Sequence, residues 1–126
     1  MKLLWIGAGG AMGSVARYLL DVWVQRLVPG SFPTGILVVN VLGSFLLGLV
    51  MTLLEARAAL DTTLRLTLAA GVLGGFTTYS SFNYQTLELL RQREWMTGSL
   101  NLVGTVVLCL AAGVLGLGTG RFVAAN

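Results

Sequence analysis

The residues in this chain that are able to do chemistry are almost all neutral. Thr77-Thr78-Tyr79-Ser80-Ser81-Phe82-Asn83-Tyr84-Gln85-Thr86 is a dense run of hydroxyls, amides and rings placed directly after Gly74-Gly75. Asn40 stands alone in an apolar stretch, and Asn101, Thr105 and Cys109 recur at steps of four, one face of a helix. Groups of this kind donate and accept hydrogen bonds without carrying charge. In a dry setting they can replace part of an ion's water shell: carbonyls turned into a cavity bind a cation, whereas amide and hydroxyl protons bind an anion. Catalysis needs other groups. The chain has no histidine and a single cysteine, and it shows no carboxylate dyad, metal-ligand cluster or nucleophile beside a base, so an enzyme is the least favoured class.

These neutral groups must be positioned by elements suited to a membrane. Of 126 residues, 56% are hydrophobic and 10% charged, against roughly 25% charged in an ordinary soluble domain. Thirteen charges cannot cover a protein of this size, and the apolar surface left over calls for lipid. A transmembrane helix takes about 20 apolar residues, which predicts four spans, at 3–23, 34–54, 66–90 and 97–120, and one all-α transmembrane domain over residues 1–126. Pro29-Gly30-Ser31-Phe32-Pro33 stops the first span, with Pro33 suited to the first turn of the second. Asp61-Thr62-Thr63 is suited to cap the third and Thr97 the fourth. Trp5, Trp23 and Trp95 fall at the span ends, where indoles settle at the lipid–water interface. Lys2 followed by Leu3-Leu4-Trp5-Ile6 has the look of a signal peptide, but removing it would leave an odd number of spans, so it is read as the first span.

Inside the spans, small residues recur at helical spacing, among them Gly9 and Gly13, Gly43, Ser44 and Gly48, Gly71, Gly74 and Gly75, and Gly113, Gly116 and Gly120. Their default role in lipid is close helix packing. Two glycines followed by a hydroxyl-rich run predict that the third helix is broken, with the freed backbone groups buried in protein or lining a cavity. If four spans place both termini on one face, that face carries Lys2, Arg57, Arg65 and Arg121, and the other Arg26, Arg91 and Arg93. This near-balance suits insertion in both orientations and an antiparallel dimer, or else one weakly specified orientation. Arg17 and Asp21, four residues apart, are the deepest charges; Arg17 lies about 9 Å inside Trp23 and is placed to snorkel or to pair with Asp21, a structural or vestibular role. Glu88 reads as an interfacial charge. Tyr79 and Phe82 share a helix face, either as ring edges presented to an anion or as ordinary aromatic packing. A net charge of +3 without a basic stripe implies no nucleic-acid partner.

Gly9-Gly10 with Gly13 and Arg17, Pro33-Thr34-Gly35 through Val39-Asn40, and above all Gly74-Gly75-Phe76-Thr77-Thr78-Tyr79-Ser80-Ser81-Phe82 make the chain resemble the Fluc/CrcB fluoride channel family along nearly its whole length. The resemblance implies an antiparallel, dual-topology homodimer of four-helix subunits in the bacterial inner membrane, with two pores that let fluoride leave passively. It implies an ion pathway along Asn40, Tyr79, Ser80, Ser81, Phe82, Thr105 and Cys109. It also implies a structural sodium ion at the dimer interface, held by the carbonyls of Gly74 and Thr77. Some positions depart from the family pattern: Tyr79 replaces a phenylalanine, Asn83 and Cys109 stand where serine is common, Gln85 where many members have glutamate, and Gly113 where a threonine often continues the track. Two other classes share the length and spans. A proton-coupled exporter of the small multidrug type needs an acid deep in the first span, where this chain has Arg17 and a near-interfacial Asp21. A non-transporting assembly subunit explains the glycines but leaves Asn40 and the 77–86 run unused.

Overall fold

The computed structural model describes residues 1–56 and 61–126. Arg57, counted above among the charges of one face, lies outside the described residues. Three unbroken helices, α1 (Lys2–Leu27), α2 (Thr34–Ala56) and α6 (Trp95–Ala125), are each long and apolar enough to cross a membrane. The remaining span is built from pieces: α3 (Thr62–Leu66), a π-helical segment (Thr67–Leu73), α4 (Gly74–Phe76) and α5 (Tyr79–Arg91). No strand occurs among the described residues, and the chain is a multi-pass, all-helical membrane protein. The helices run one to five residues beyond most of the sequence-predicted span ends, because a helix continues past the hydrocarbon into the headgroup layer.

The expected break in the third span is present. Thr77 and Thr78 are extended, with φ, ψ of −76°, 154° and −149°, 112°, between helical residues on both sides. The wider π-helical segment just before the break was not legible in the sequence. It lies where the chain crosses α1 closely: a Cβ on Gly71 would stand 2.9 Å from the Ile6 carbonyl oxygen, and one on Gly75 would stand 2.6 Å from that of Gly10. On the other side of the bundle α2 packs against α6, with Gly48 against the Gly113 carbonyl and Gly116 against that of Phe45. In lipid there is no hydrophobic drive between helices, so backbone-to-backbone contact permitted by glycine supplies the attraction instead. Val39 and Asn101 are fully buried, and Ile36, Leu73, Phe76 and Phe82 are buried as well. Leu100, Leu110, Val114, Leu115 and Phe122 face outward, as do all three tryptophans near their helix ends, the pattern of a lipid-facing belt.

The turns follow the expected chemistry in part. Asp61 caps α3 by accepting from the Thr63 N–H at 3.2 Å. Pro33 sits just before α2 rather than within its first turn, and its carbonyl accepts from Leu37 N–H. Thr97 is not a cap: α6 begins two residues earlier, at Trp95, because the preceding turn already sets its direction. In that turn Glu94 N–H bonds the Leu89 carbonyl and Arg93 N–H that of Leu90, the Schellman pattern, with Arg93 in the left-handed position at φ 63°. Gln25, which the sequence did not single out, ties the 28–33 turn together: its amide donates to the Gly30 and Phe32 carbonyls and accepts from Gly35 N–H.

Close packing at Gly48 gives a direct test. Gly48→Ala places a methyl 2.6 Å from the Gly113 carbonyl and 3.0 Å from Leu117 N, and is expected to destabilise by about 1–3 kcal/mol. Gly118→Ala meets nothing within 4 Å and is expected to be neutral or stabilising by up to about 1 kcal/mol, both read by thermal unfolding in one detergent.

Candidate functional site at the helix break

The break exists because side chains take the hydrogen bonds that would have closed the helix. In a continuous helix Thr78 N–H would bond the Gly74 carbonyl. Here it donates to Asn40 Oδ1 at 2.8 Å, and Asn40 Nδ2 donates to the Thr78 carbonyl at 3.1 Å. Asn40 is buried on α2, so one amide side chain satisfies both backbone groups of a residue 38 positions away. Gly43, one turn further along α2, makes room for this crossing: a Cβ there would collide with the Thr77 methyl.

Thr78 then starts the second half-helix. Its hydroxyl accepts from Ser81 N–H at 3.2 Å, capping α5, and also bonds Ser81 Oγ at 3.1 Å and Ser80 Oγ at 3.2 Å. The Ser81 N–H in an unbroken helix would have served the Thr77 carbonyl. Thr78 N–H and Ser81 N–H are thus diverted from the carbonyls of Gly74 and Thr77, the two ends of the stretch 74–77 whose helical donors the break removes; within it the Gly75 carbonyl accepts from the Ser14 hydroxyl at 3.4 Å.

A cleft of about 300 Å³ opens beside the break, lined by Asn40, Ser44, Leu47, Thr77, Thr78, Tyr79, Phe82, Thr105, Val106 and Cys109. No charged residue lines it. It brings together five of the seven residues of the expected pathway: Asn40, Tyr79, Phe82, Thr105 and Cys109. Ser80 and Ser81 do not line it; they cluster with the Thr78 hydroxyl at the N-terminus of α5. Ser44 joins it although its sequence context marked it only as a small packing residue, and it lies against Cys109. Tyr79 and Phe82 stack at 5.7 Å between ring centroids with their planes 60° apart, Phe82 buried and Tyr79 77% exposed at the rim. The polar stripe of α6 is real: Asn101 and Thr105 are buried and hydrogen-bonded to one another.

The deep charges lie elsewhere. Arg17 and Asp21 do not form the ion pair that their spacing suggested. The Asp21 carboxylate is packed against Gly35 at the first turn of α2, where the positive end of the helix dipole attracts it, and Arg17 Nε is buried without a hydrogen-bond partner. Asp21 borders a second cleft of about 380 Å³ with Gln25, Ser31, Gln85, Glu88 and Gln92. Glu88 behaves as the interfacial charge expected of it, pairing with Arg91 at 3.0 Å and accepting from Gln92 at 2.8 Å.

The family model "CrcB-like protein, Camphor Resistance (CrcB)" matches residues 4–117. Curated relatives extend over nearly the whole chain. A protein of Sorangium cellulosum named "Fluoride-specific ion channel FluC" is 50% identical over 120 residues, covering 95% of this chain and 94% of the relative. Proteins of the same name from Anaeromyxobacter dehalogenans and Nitratidesulfovibrio vulgaris are 52% and 45% identical, covering 88% and 97% of this chain and 88% and 98% of their own lengths. A four-span helical chain broken at Thr77-Thr78, with Asn40 bridging the break and a family match along most of its length, belongs to the CrcB family.

Proposed function

We propose that this protein is a passive fluoride channel of the bacterial inner membrane. The observation that carries the reading is the uncharged cleft at the helix break, in which an amide, hydroxyls, a thiol and aromatic rings meet without a single ionised side chain. Fluoride is small and strongly hydrated. A selective path must offer closely spaced donors in place of water, yet hold the ion weakly enough that it leaves. Neutral donors meet both demands, whereas a buried arginine would retain any anion. One Asn40 amide proton is engaged by the Thr78 carbonyl, and the other is available to a bound ion. The N-terminus of α5 adds the positive end of a helix dipole beside the cleft. Phe82 and Tyr79 line the cleft, and an aromatic ring approached by its edge is positive.

In this reading the functional unit is an antiparallel homodimer with two pores, and the exposed Tyr79 ring and the turn at Gly74–Thr77 face the partner. A sodium ion between subunits would be held by the Gly74 and Thr77 carbonyls. These fit, because their helical donors are taken by Asn40 and Thr78 side chains and oxygen ligands suit a hard cation. Its contribution would be structural, fixing the two breaks against each other. A proton-coupled exporter is disfavoured because the acid of the first span, Asp21, is packed at a helix end away from the cleft.

Purified protein in liposomes is expected to release fluoride with no comparable release of chloride, followed with ion-selective electrodes. Equal release of both ions, or proton-driven drug uptake without fluoride release, contradicts the proposal. Asn40→Ala removes a charge-assisted donor and the clasp on Thr78, and is expected to slow release by roughly tenfold or more, with Phe82→Ile slower as well and both dimers intact. Tyr79→Phe, which removes a hydroxyl at an exposed rim position, is expected to conserve transport; total loss would make that hydroxyl essential. Cys109 gives a chemical handle: a small mercurial is expected to block release by the native protein and to leave a Cys109→Ser variant unaffected, and undiminished release by native protein whose thiol has been modified would place it outside the path.

A further inference from the structure

The fluoride-channel reading treats Thr105 as one more hydroxyl donor, and the hydrogen bonds around it contradict that role. Thr86 Oγ1 donates to the Phe82 carbonyl at 2.8 Å. A carbonyl can only accept, so the Thr86 proton is committed and its oxygen must accept from the next group. That group is Asn101 Nδ2, at 2.8 Å. Its amide orientation is thereby fixed, leaving Asn101 Oδ1, which can only accept, to face Thr105 Oγ1 at 3.3 Å. The chain of donors runs one way: Thr105 to Asn101 to Thr86 to Phe82 carbonyl. All three side chains are buried, Asn101 to 1% exposure. Thr105 also departs from the pattern of several other threonines on the spans. Thr52, Thr67, Thr77, Thr86 and Thr119 each donate to the carbonyl four residues back, while the Thr105 proton goes to a side chain instead.

From this polarity, and resting on the fluoride-channel reading, we infer that Asn101 is a positioning residue that holds Thr105 as a hydrogen-bond acceptor in the pathway, so that fluoride passes Thr105 through a bridging water rather than by direct contact. A water next to fluoride spends one proton on the ion and needs an acceptor for the other. Thr105 Oγ1, with its own proton drawn away into the bundle, is such an acceptor on the cleft wall. Loss of Asn101 returns the Thr105 hydroxyl to the ordinary bond with the main-chain carbonyl four residues back, and the acceptor is withdrawn from the wall.

The test is the initial fluoride release from liposomes, measured as a function of internal fluoride for native protein, Thr105→Val, Thr105→Ser, Asn101→Leu and the Asn101→Leu/Thr105→Val double variant. Thr105→Ser is expected to match the native rate. Thr105→Val and Asn101→Leu are each expected to lower the maximal rate by about tenfold and to keep half-saturating fluoride within about twofold, with the double variant no slower than either single one. A roughly tenfold rise in half-saturating fluoride for Thr105→Val makes Thr105 a direct ligand and overturns the inference, as does a native rate in that variant. Multiplied losses in the double variant make Asn101 a packing residue only and overturn it as well. Should Asn101→Leu not fold, Thr105→Val and Thr105→Ser alone separate acceptor from ligand. Native protein that releases no fluoride at all would instead remove the channel reading on which the inference stands.

Discussion

The two hydrogen bonds between Asn40 and the main chain of Thr78 are the contact on which the rest of the site depends. A break in a helix within the membrane leaves a donor and an acceptor that no water reaches, and each such group costs several kcal/mol if unmet. Asn40 meets both with one side chain. Because the N–H of Thr78 is satisfied from α2, the Gly74 carbonyl is released; because the Thr78 hydroxyl caps α5, the Thr77 carbonyl is released too. The glycine of α2 at position 43 and those on α1 and the π-helical segment bring the backbones near enough for this to happen. Packing, break and cleft therefore form one causal sequence.

The same constraint explains why the chemistry is neutral. A charged group at the break would need a partner, and no charged side chain lines the cleft to pair with it. Glu88 and Arg91 sit toward a helix end and Asp21 against a helix terminus, while Arg17, the deep charge of α1, does not line the cleft. What remains in the interior is a set of amides and hydroxyls whose protons are allocated by their neighbours. The allocation has a direction, anchored at the Phe82 carbonyl, and it makes chemically similar residues unequal: Asn40 keeps a proton to offer, while Thr105 does not.

Local features of the fold were legible in the sequence because they depend on composition and short-range order. Four helical spans, three of them long apolar helices, the Pro-Gly turn, the Asp61 cap and the interruption after Gly74-Gly75 all appear in the structure. The site was legible only as a set of residue types. Spacing placed Asn101 and Thr105 on one face, but it could not show that Thr86, from another helix, sets the direction of their hydrogen bonds. Nor could it show that Ser80 and Ser81 turn to the Thr78 hydroxyl, or that Gln25 closes the first turn. Of the two roles open to Arg17, snorkelling or pairing with Asp21, the pairing does not form, because Asp21 packs at the N-terminus of α2, a partner remote in sequence. Thr97 failed as a cap because the Schellman turn at 89–94 launches α6 two residues earlier.

The claim at the centre of this account is that Asn40 both clasps the broken helix and offers its second amide proton to fluoride. Nuclear magnetic resonance of the Asn40 side-chain amide, selectively labelled with ¹⁵N in lipid nanodiscs, addresses both halves at once. One Nδ2 proton should keep its shift during titration with fluoride, held by the Thr78 carbonyl, while the other moves saturably, and chloride should move neither. Two protons that are indifferent to fluoride, or that respond equally to chloride, would contradict the account.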